Sequence, residues 1–332
     1  KQIAYFEYKM EKLDLKDLKL LYWLDQNSRA TNKELGKKVG LTEQAIGYKI
    51  KKLQQRGIIK NFVTFINTVS LGYTHYRVFL KLYNINEENE KAIINSFTEN
   101  QNIRWVASVS GRYDLSFSIL AKSPLEFLNI YQDIEREYGK YIIEKNILLN
   151  VRSPGFSRDH LLGKSKSRMM EYGLMKEIKK IDNTDKKILK SISQNSRANI
   201  VDIATETKTT VDIVKYRLKK LKENDIINGF TIQIDLEKIG YEFYSILVYT
   251  SNINQDLEKM MHSFAEYHPN ILFVARMIGS WEFEVLFEVK SYAEFELNLK
   301  EFRQTFSNQI RNIEILRLTK EYKYDFFPFT IS

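Results

Sequence analysis

"QNSRATNKELGKKVGLTEQAIGYKIKKLQQRG" (26–57) holds two helix signatures separated by one glycine. Thr31 or Asn32 can cap a short helix, NKELGKKV, and Gly40 stands where a left-handed C-terminal residue is wanted. Thr42 can cap the next helix, Gly57 ends it, and Ile46, Ile50 and Leu53 form its apolar stripe. Upstream, Asp17, Leu20, Leu21 and Leu24 are spaced i, i+3, i+4, i+7, one face of a helix with an acidic start. A short helix, a glycine turn and a second helix make a helix-turn-helix. "GIIKNFVTFIN" (57–67) then alternates like a strand, which predicts a winged form.

The opening five residues return as QNSRA at 194–198. Held at that fixed offset of 168 positions, Asp17, Leu20, Leu21 and Leu24 fall on Asp185, Ile188, Leu189 and Ile192. Ile58, Ile59 and Phe62 fall on Ile226, Ile227 and Phe230; "LGY" (71–73) falls on "IGY" (239–241), and "KSPLEF" (122–127) on "KSYAEF" (290–295). No gap is needed, so the chain is a tandem duplication of a unit too long for a solenoid repeat.

At 332 residues, 43% hydrophobic and 13% aromatic, the chain can build several cores. It has no cysteine, which removes disulfides, thiolate zinc sites and cysteine nucleophiles, and fits a reducing cytoplasm. No stretch approaches the ~18 apolar residues of a membrane span, and no signal peptide is visible at its start. The net charge of +9 draws attention to nucleic acid as a partner.

The outer face of the third helix carries Gln44, Tyr48, Lys51 and Gln55, flanked by Gly47 and Lys52, with Thr42 at its start. Such a basic, amide-bearing face after a helix-turn-helix is what a major groove accepts, so double-stranded DNA is the expected partner. Gly47 costs about 1 kcal/mol inside a helix and signals a close approach, of a phosphate or a neighbouring backbone, with tolerated drift as the alternative. In copy two the face reads Asp212, Lys215, Tyr216, Lys219, Lys220 and Glu223, while Gly40 and Gly57 become Lys208 and Asp225. Two carboxylates there predict a weaker reader. The repeated Arg29 and Arg197 are expected to hold their own connector or to meet a phosphate.

Residues 74–151 read as strand, helix, strand, strand, helix, strand, and copy two repeats the order across 242–320. This is the ferredoxin-like βαββαβ unit. One face of its sheet carries the helices. The other, assigned to Val78, Leu80 and Leu82 and to Leu247 and Tyr249, is apolar and needs a cover, which the second copy can supply. The turn between the second and third strands holds Gly111, Arg112 and Asp114, and in copy two Gly279, Ser280 and Glu282. A glycine there permits close approach, and the neighbouring carboxylate can pair with an ammonium; a plain hairpin turn is the alternative.

This α+β unit resembles the Lrp/AsnC, or feast/famine, family of transcription regulators. The resemblance rests on "LDLKDLKLLYWLDQNSRATNKELGKKVGLTEQAIGYKIKKLQQRGII" (13–59), "VSGRYDLSFSI" (109–119) and their partners in copy two, over roughly 13–152 and 181–320. It implies DNA binding by the first module and sensing of an amino acid or similar small molecule by the second, at the two turns just named. It also implies work as a dimer, which two fused copies would form within one chain, with further homo-oligomerisation left open. A cytoplasmic, nucleoid-associated prokaryotic protein follows from the same likeness. Siroheme decarboxylases resemble this architecture too, but would carry a histidine near the third strand, and "SGRYDLSF" and "GSWEFEVLF" have none. A DNA-binding-deficient interaction protein is the third reading.

No Gly-x-Gly fingerprint, Walker loop or Gly-x-Ser-x-Gly occurs, and His75, His160, His262 and His268 form no ligand pair. No catalytic residue, metal or cofactor is therefore expected. The predicted domains are 13–66, 72–152, 181–234 and 240–322, joined by a linker, 153–180, whose first half reads as mobile or DNA-facing and whose second half reads as helical. The aromatic stretches IAYFEYK (3–9) and YKYDFFPFTIS (322–332) have no assigned place.

Overall fold

The computed structural model describes residues 11–163, 168–170 and 177–327. Copy one begins with three helices, α1 (Leu15–Gln26), α2 (Asn32–Val39) and α3 (Glu43–Gln55), and the strand β1 (Ile59–Ile66). It continues as β2 (Thr74–Leu82), α4 (Glu87–Glu99), β3 (Ile103–Ser110), β4 (Leu115–Ala121), α5 (Pro124–Tyr138) and β5 (Ile142–Arg152). Two short strands follow, β6 (Gly155–Phe156) and β7 (Arg168–Met170). Copy two repeats the order as α6 (Asn183–Ser193), α7 (Ile200–Thr207), α8 (Val211–Glu223), β8 (Ile227–Ile234), β9 (Glu242–Thr250), α9 (Gln255–Tyr267), β10 (Ile271–Ile278), β11 (Phe283–Val289), α10 (Tyr292–Thr305) and β12 (Ile310–Tyr324).

Local chemistry sets the helix ends. Asp14 and Asp182 each form a capping box with the third helical residue, and Thr31, Thr42 and Thr210 cap through their hydroxyls. Copy one stops α2 at Gly40 (φ 75°) and turns after α3 at Gly57 (φ 66°). Copy two holds the same left-handed turns with Lys208 and Asp225, both at φ 56°. A residue with a Cβ costs about 1–2 kcal/mol there, so the second copy keeps the geometry while carrying strain.

Each βαββαβ unit has the order expected of its class, β5-β2-β4-β3 and β12-β9-β11-β10. The two sheets do more than cover each other. β3 pairs antiparallel with β12, from Ser110↔Arg317 to Trp105↔Tyr324, and β5 pairs with β10 at Asn150↔Met277 and Leu149↔Ile278. Eight strands thus close into a ring with no free edge at either junction. Inside it, Phe79, Tyr113 and Leu148 of copy one meet Leu247, Met277 and Trp281 of copy two.

The inward face of β2 differs from the expected one. Val78 and Leu80 pack under α4 and α5 with Ile93 and Phe97, and Leu82 lies partly buried on the same side. Phe79 and Arg77 face the other copy instead. Tyr76 to Leu80 are all buried, so alternation could not tell the two faces apart. Leu247 and Tyr249 do turn toward copy one.

The strand after each helix-turn-helix crosses to the other copy. β1 and β8 form a two-stranded antiparallel ribbon with each other, in register from Phe62↔Ile232 to Thr64↔Phe230. The helical core of copy one is completed by Ile232, Ile234 and Tyr241 of copy two. That of copy two is completed by Ile66 and Leu71 of copy one and by Phe327. Phe326 packs against Phe65 in a tilted arrangement, with centroids 4.3 Å apart. The described part of the aromatic C-terminal stretch therefore packs on this same layer; the N-terminal one, 3–9, lies outside the described residues.

The first half of the linker is packed rather than mobile. Phe156 is fully buried in the core of copy two's βαββαβ unit, and Leu161 is buried beneath α1. Arg158 is clasped by Asp25 of α1 and by Glu288 of β11, the latter at 3.1 Å. Both carboxylates are wholly buried. Burial alone would lower the Arg158 pKa, and the two charges reverse that. A buried, doubly paired guanidinium cannot be exchanged for solvent cheaply, which is why this stretch is not a tether. In the second half, 168–170 is a strand and 164–167 and 171–176 lie outside the described residues.

Candidate nucleic-acid interface

α3 presents Gln44, Tyr48, Lys51, Lys52 and Gln55 to solvent, with Tyr48 68% exposed. Thr42 spends its hydroxyl on the Ala45 amide at 3.2 Å, which fixes the start of the helix. Lys49, on the inner side, is tied to Asp14 and Asp17 at 2.9 and 2.7 Å and anchors α3 to α1. Lys51 and Lys52 make no ion pair among the described residues. Gly47 has a structural use: a Cβ there would come within 3.2 Å of the Asn32 side-chain nitrogen. The close approach it permits is to α2.

In copy two, Tyr216 is 57% exposed and Lys215, Lys219 and Lys220 lie on the same face. Here the lysines have acidic neighbours, Asp212 at 3.9 Å from Lys215 and Glu223 at 3.7 Å from Lys219. Arg217 repeats the anchoring role of Lys49 on Asp182 and Asp185. Sequence reasoning confined to the third helix missed a larger difference. α2 has three lysines (Lys33, Lys37, Lys38) and one glutamate, and α3 three lysines and one glutamate, a net +4. α7 has two acids and no base, and α8 five bases and two acids, a net +1.

The QNSRA repeats meet at the centre. The hydroxyls of Ser28 and Ser196 lie 2.6 Å apart and fully buried. Their amides donate across to Phe230 and Phe62 carbonyls at 3.0 and 2.7 Å. Arg197 donates to the carbonyls of Ser28 and Ala30 at 2.6 and 2.8 Å and to the Asn32 side chain at 2.8 Å. Arg29 answers by donating to the Ser196 carbonyl. Each arginine therefore holds the connector of the other copy, not its own. Burial lowers the pKa of both guanidiniums.

The two glycine-acid turns at Gly111 and Gly279 also lie where the copies join. At Gly111 (φ 130°) a Cβ would meet the Ile315 carbonyl oxygen at 2.8 Å, and at Gly279 a Cβ would meet the Leu148 side chain at 2.8 Å. Asp114 accepts from the Leu82 amide at 2.7 Å and from Lys81 at 2.9 Å. Glu282 accepts from the Thr250 amide at 2.7 Å. Both acids thus tie down the end of the first strand of their unit. Arg112 bridges Glu144 and Glu314 at 2.6 and 2.7 Å, and the hydrogen bond to Glu144 raises its pKa. Ser280 donates to Asn146 at 2.5 Å, across the copies. No group of three or more potential metal ligands occurs among the described residues, and no described helix is long and apolar enough to cross a membrane.

A family model described as winged helix-turn-helix DNA-binding matches residues 13–60 and 181–228. The chain is 31% identical over 133 residues to the HTH-type transcriptional regulator Ptr1 of Methanocaldococcus jannaschii, spanning 40% of this chain and 81% of that one. An uncharacterised HTH-type transcriptional regulator of Pyrococcus horikoshii is 28% identical over 149 residues, 45% of this chain and 99% of that one. Among solved structures, the siroheme decarboxylase NirDL superposes with a TM-score of 0.60 over 93% of this chain and 92% of its own, at 14% identity. That likeness is one of fold alone.

Proposed function

The chain belongs to the Lrp/AsnC family of HTH-type transcriptional regulators, and we propose that it works on DNA as an intrachain pseudo-dimer whose two readers are unequal. The observation that carries this is the reciprocal QNSRA contact, Ser28 on Ser196 with each arginine on the other copy's connector. It fixes α3 and α8 relative to one another without a second chain. A homodimeric reader matches a palindrome because its halves are identical. Here the halves differ by net charge and by Gln44 against Asp212 and Gln55 against Glu223. Gln can pair bidentately with adenine, whereas Asp can only accept, for example from cytosine N4. The operator is accordingly non-palindromic, with a strong half-site under α3 and a weaker one under α8.

The roles are specific. Lys51, Lys52, Lys219 and Lys220 contact phosphates or base edges, Tyr48 and Tyr216 pack against the backbone, and Gln44 and Gln55 read bases. The acids of the two effector turns are already engaged by backbone amides, so an amino-acid ligand there would have to compete with Leu82 and Thr250.

A gel-shift series on promoter DNA tests the reading. Lys51→Glu should abolish the shift, and wild-type affinity should fall steeply with salt, since each phosphate contact releases about 0.9 counterions. Gln44→Ala should weaken binding by about 1–3 kcal/mol and relax one base position, while Asp212→Ala leaves affinity unchanged or raises it. Equal losses from both, with a flat salt dependence, would refute the proposal.

A further inference from the structure

The end of α3 is held by copy two. The turn after β8, residues 235–240, runs past it, and Leu236 and Tyr241 fix that turn by their burial in the helical core of copy one. The Asp235 amide donates to the Ile58 carbonyl at 2.8 Å, and the Glu11 amide donates to the Lys238 carbonyl at 2.7 Å. Charged contacts are laid over this backbone frame. The half-buried Lys238 ammonium donates to the carbonyl of Arg56, the C-terminal cap of α3, at 3.1 Å. Arg56 grips one oxygen of Glu11 with two nitrogens, at 2.9 and 2.6 Å, and also donates to the Lys12 carbonyl at 2.9 Å. Asp235 pairs with Lys60 at 3.3 Å. Gly57 leaves room for the ammonium, since a Cβ there would come within 2.5 Å of Lys238 Nζ.

Copy two repeats the frame and drops the charges. The Asn67 amide donates to the Ile226 carbonyl at 2.8 Å, and the Lys179 amide to the Ser70 carbonyl at 2.7 Å. Asn67, Ser70 and Asn224 stand where Asp235, Lys238 and Arg56 stand in the first clasp, and Lys179 stands for Glu11. The Ser70 hydroxyl accepts from the Asn67 side chain at 2.8 Å, and the Lys179 ammonium pairs with Glu177 at 2.7 Å. Among the described residues the charged clasp therefore closes on α3 and not on α8. The last carbonyls of a helix lack partners within it and carry the negative end of its dipole. An ammonium fixed there satisfies an acceptor and sets the geometry of the final turn. Gln55 immediately precedes the clasped residue, and Lys51 and Lys52 lie one turn back. Bidentate pairing with a base edge tolerates about 0.5 Å of misplacement, so the pitch of that turn decides whether Gln55 can read.

We propose that Lys238 is a positioning residue for base readout: through the Arg56 carbonyl, copy two holds the last turn of α3, and with it Gln55, at the pitch at which the helix reads DNA. Glu11 holds the same residue from the other side, through the Arg56 guanidinium. The two readers then differ in how firmly they are held as well as in charge. This role rests on the regulator reading, and it is carried by residues outside both recognition helices.

Competition binding of the full chain tests the role, with a duplex that the wild-type chain enriches from a randomised pool and with all its single-base variants. The base pair under Gln55 is the one that Gln55→Ala relaxes. Lys238→Met keeps the aliphatic stem and removes a positive charge; Glu11→Gln removes a negative one. As charges acting on DNA the two changes would shift affinity for every sequence in opposite directions. As parts of one clasp they act alike. Each should cut the preference for the cognate base under Gln55 by about tenfold, and leave both the preference under Gln44 and the salt slope as in wild type. In the free protein, each should speed amide exchange at Arg56 and Gly57 but not in the last turn of α8, and thermal unfolding checks that both variants fold. Unchanged discrimination in the folded variants would overturn this role and leave the regulator reading standing. So would opposite, sequence-independent shifts with a salt slope altered by about 0.9, the mark of a direct phosphate contact. A wild-type chain that enriches no sequence would overturn both.

Discussion

The two helix-turn-helix modules have one backbone and two surfaces. α2 and α3 end on glycines and carry a net +4; α7 and α8 turn through Lys208 and Asp225 at the same left-handed angles and carry +1. What stayed constant is the interior and the axis: Ser28 and Ser196, Arg29 and Arg197, Ile66 and Ile234. Each of these serves the opposite copy. A residue that completes its partner's core is constrained by two modules at once, whereas an exposed face is constrained by its own contacts alone. A duplicated chain can therefore diverge in what it reads while its frame stays fixed.

The largest expected effect breaks the exchange of core residues. Ile234→Ala should cost about 2–5 kcal/mol, typical of a buried large-to-small change, and amide exchange should rise first in α1 to α3 of copy one. Ile66→Ala should loosen α6 to α8 of copy two instead. Loss of protection confined to the mutated copy would contradict the crossed arrangement.

A second test concerns pH and two buried histidines that lie outside the helix-turn-helix modules. Burial, then Arg77 and Arg104, hold His75 at about 3, and burial followed by Arg158 holds His160 at about 4. Their folded values lie below the unfolded 6.5, so the unfolded chain binds protons that the native one refuses. Stability is full above pH 6.5 and falls as pH drops toward 4, by roughly 2 kcal/mol per histidine at pH 5. Urea midpoints measured from pH 8 to 5 should show this slope, and His75→Asn should flatten about half of it. A midpoint independent of pH in wild type would show that the histidines are solvated.

The smallest effect sharpens the contrast between the caps. Lys208→Gly and Asp225→Gly should each stabilise copy two by about 1 kcal/mol, because they relieve a left-handed strain that copy one avoids. Gly40→Lys in copy one should cost a similar amount or more, since a Cβ there would approach Lys16 Nζ at 2.9 Å. Thermal unfolding of the three variants gives the comparison; destabilisation by the two glycine changes would show that the lysine and aspartate side chains contribute something beyond their backbone angles.

Much of this was legible before the structure. Caps and glycines placed α2 and α3 within a residue or two, and periodicity marked the buried face of α1 and of its repeat, since those signals are local. The βαββαβ order followed from alternation and from Ser123 and Pro124 at the start of α5. What could not be read lies between the copies. QNSRA announced a repeat but not that its serines touch, because a contact 168 positions apart leaves no local trace. β2 was assigned the wrong inner face because five consecutive buried residues erase the two-residue period. The stretch around Arg158 looked like a tether because its polar residues find their partners in α1 and β11. The lysines of α2 (Lys33, Lys37 and Lys38) are plain in the sequence, but a reading of the third helix alone leaves them out.

The central claim is that one chain supplies both readers. Sedimentation velocity of the complex with an operator fragment, at protein concentrations well above the dissociation constant, paired with a footprint of the same complex, measures it directly. The account predicts one chain per operator, with protection of two unequal half-sites about one helical turn apart. Two chains per operator bound to a symmetric pair of half-sites would contradict it.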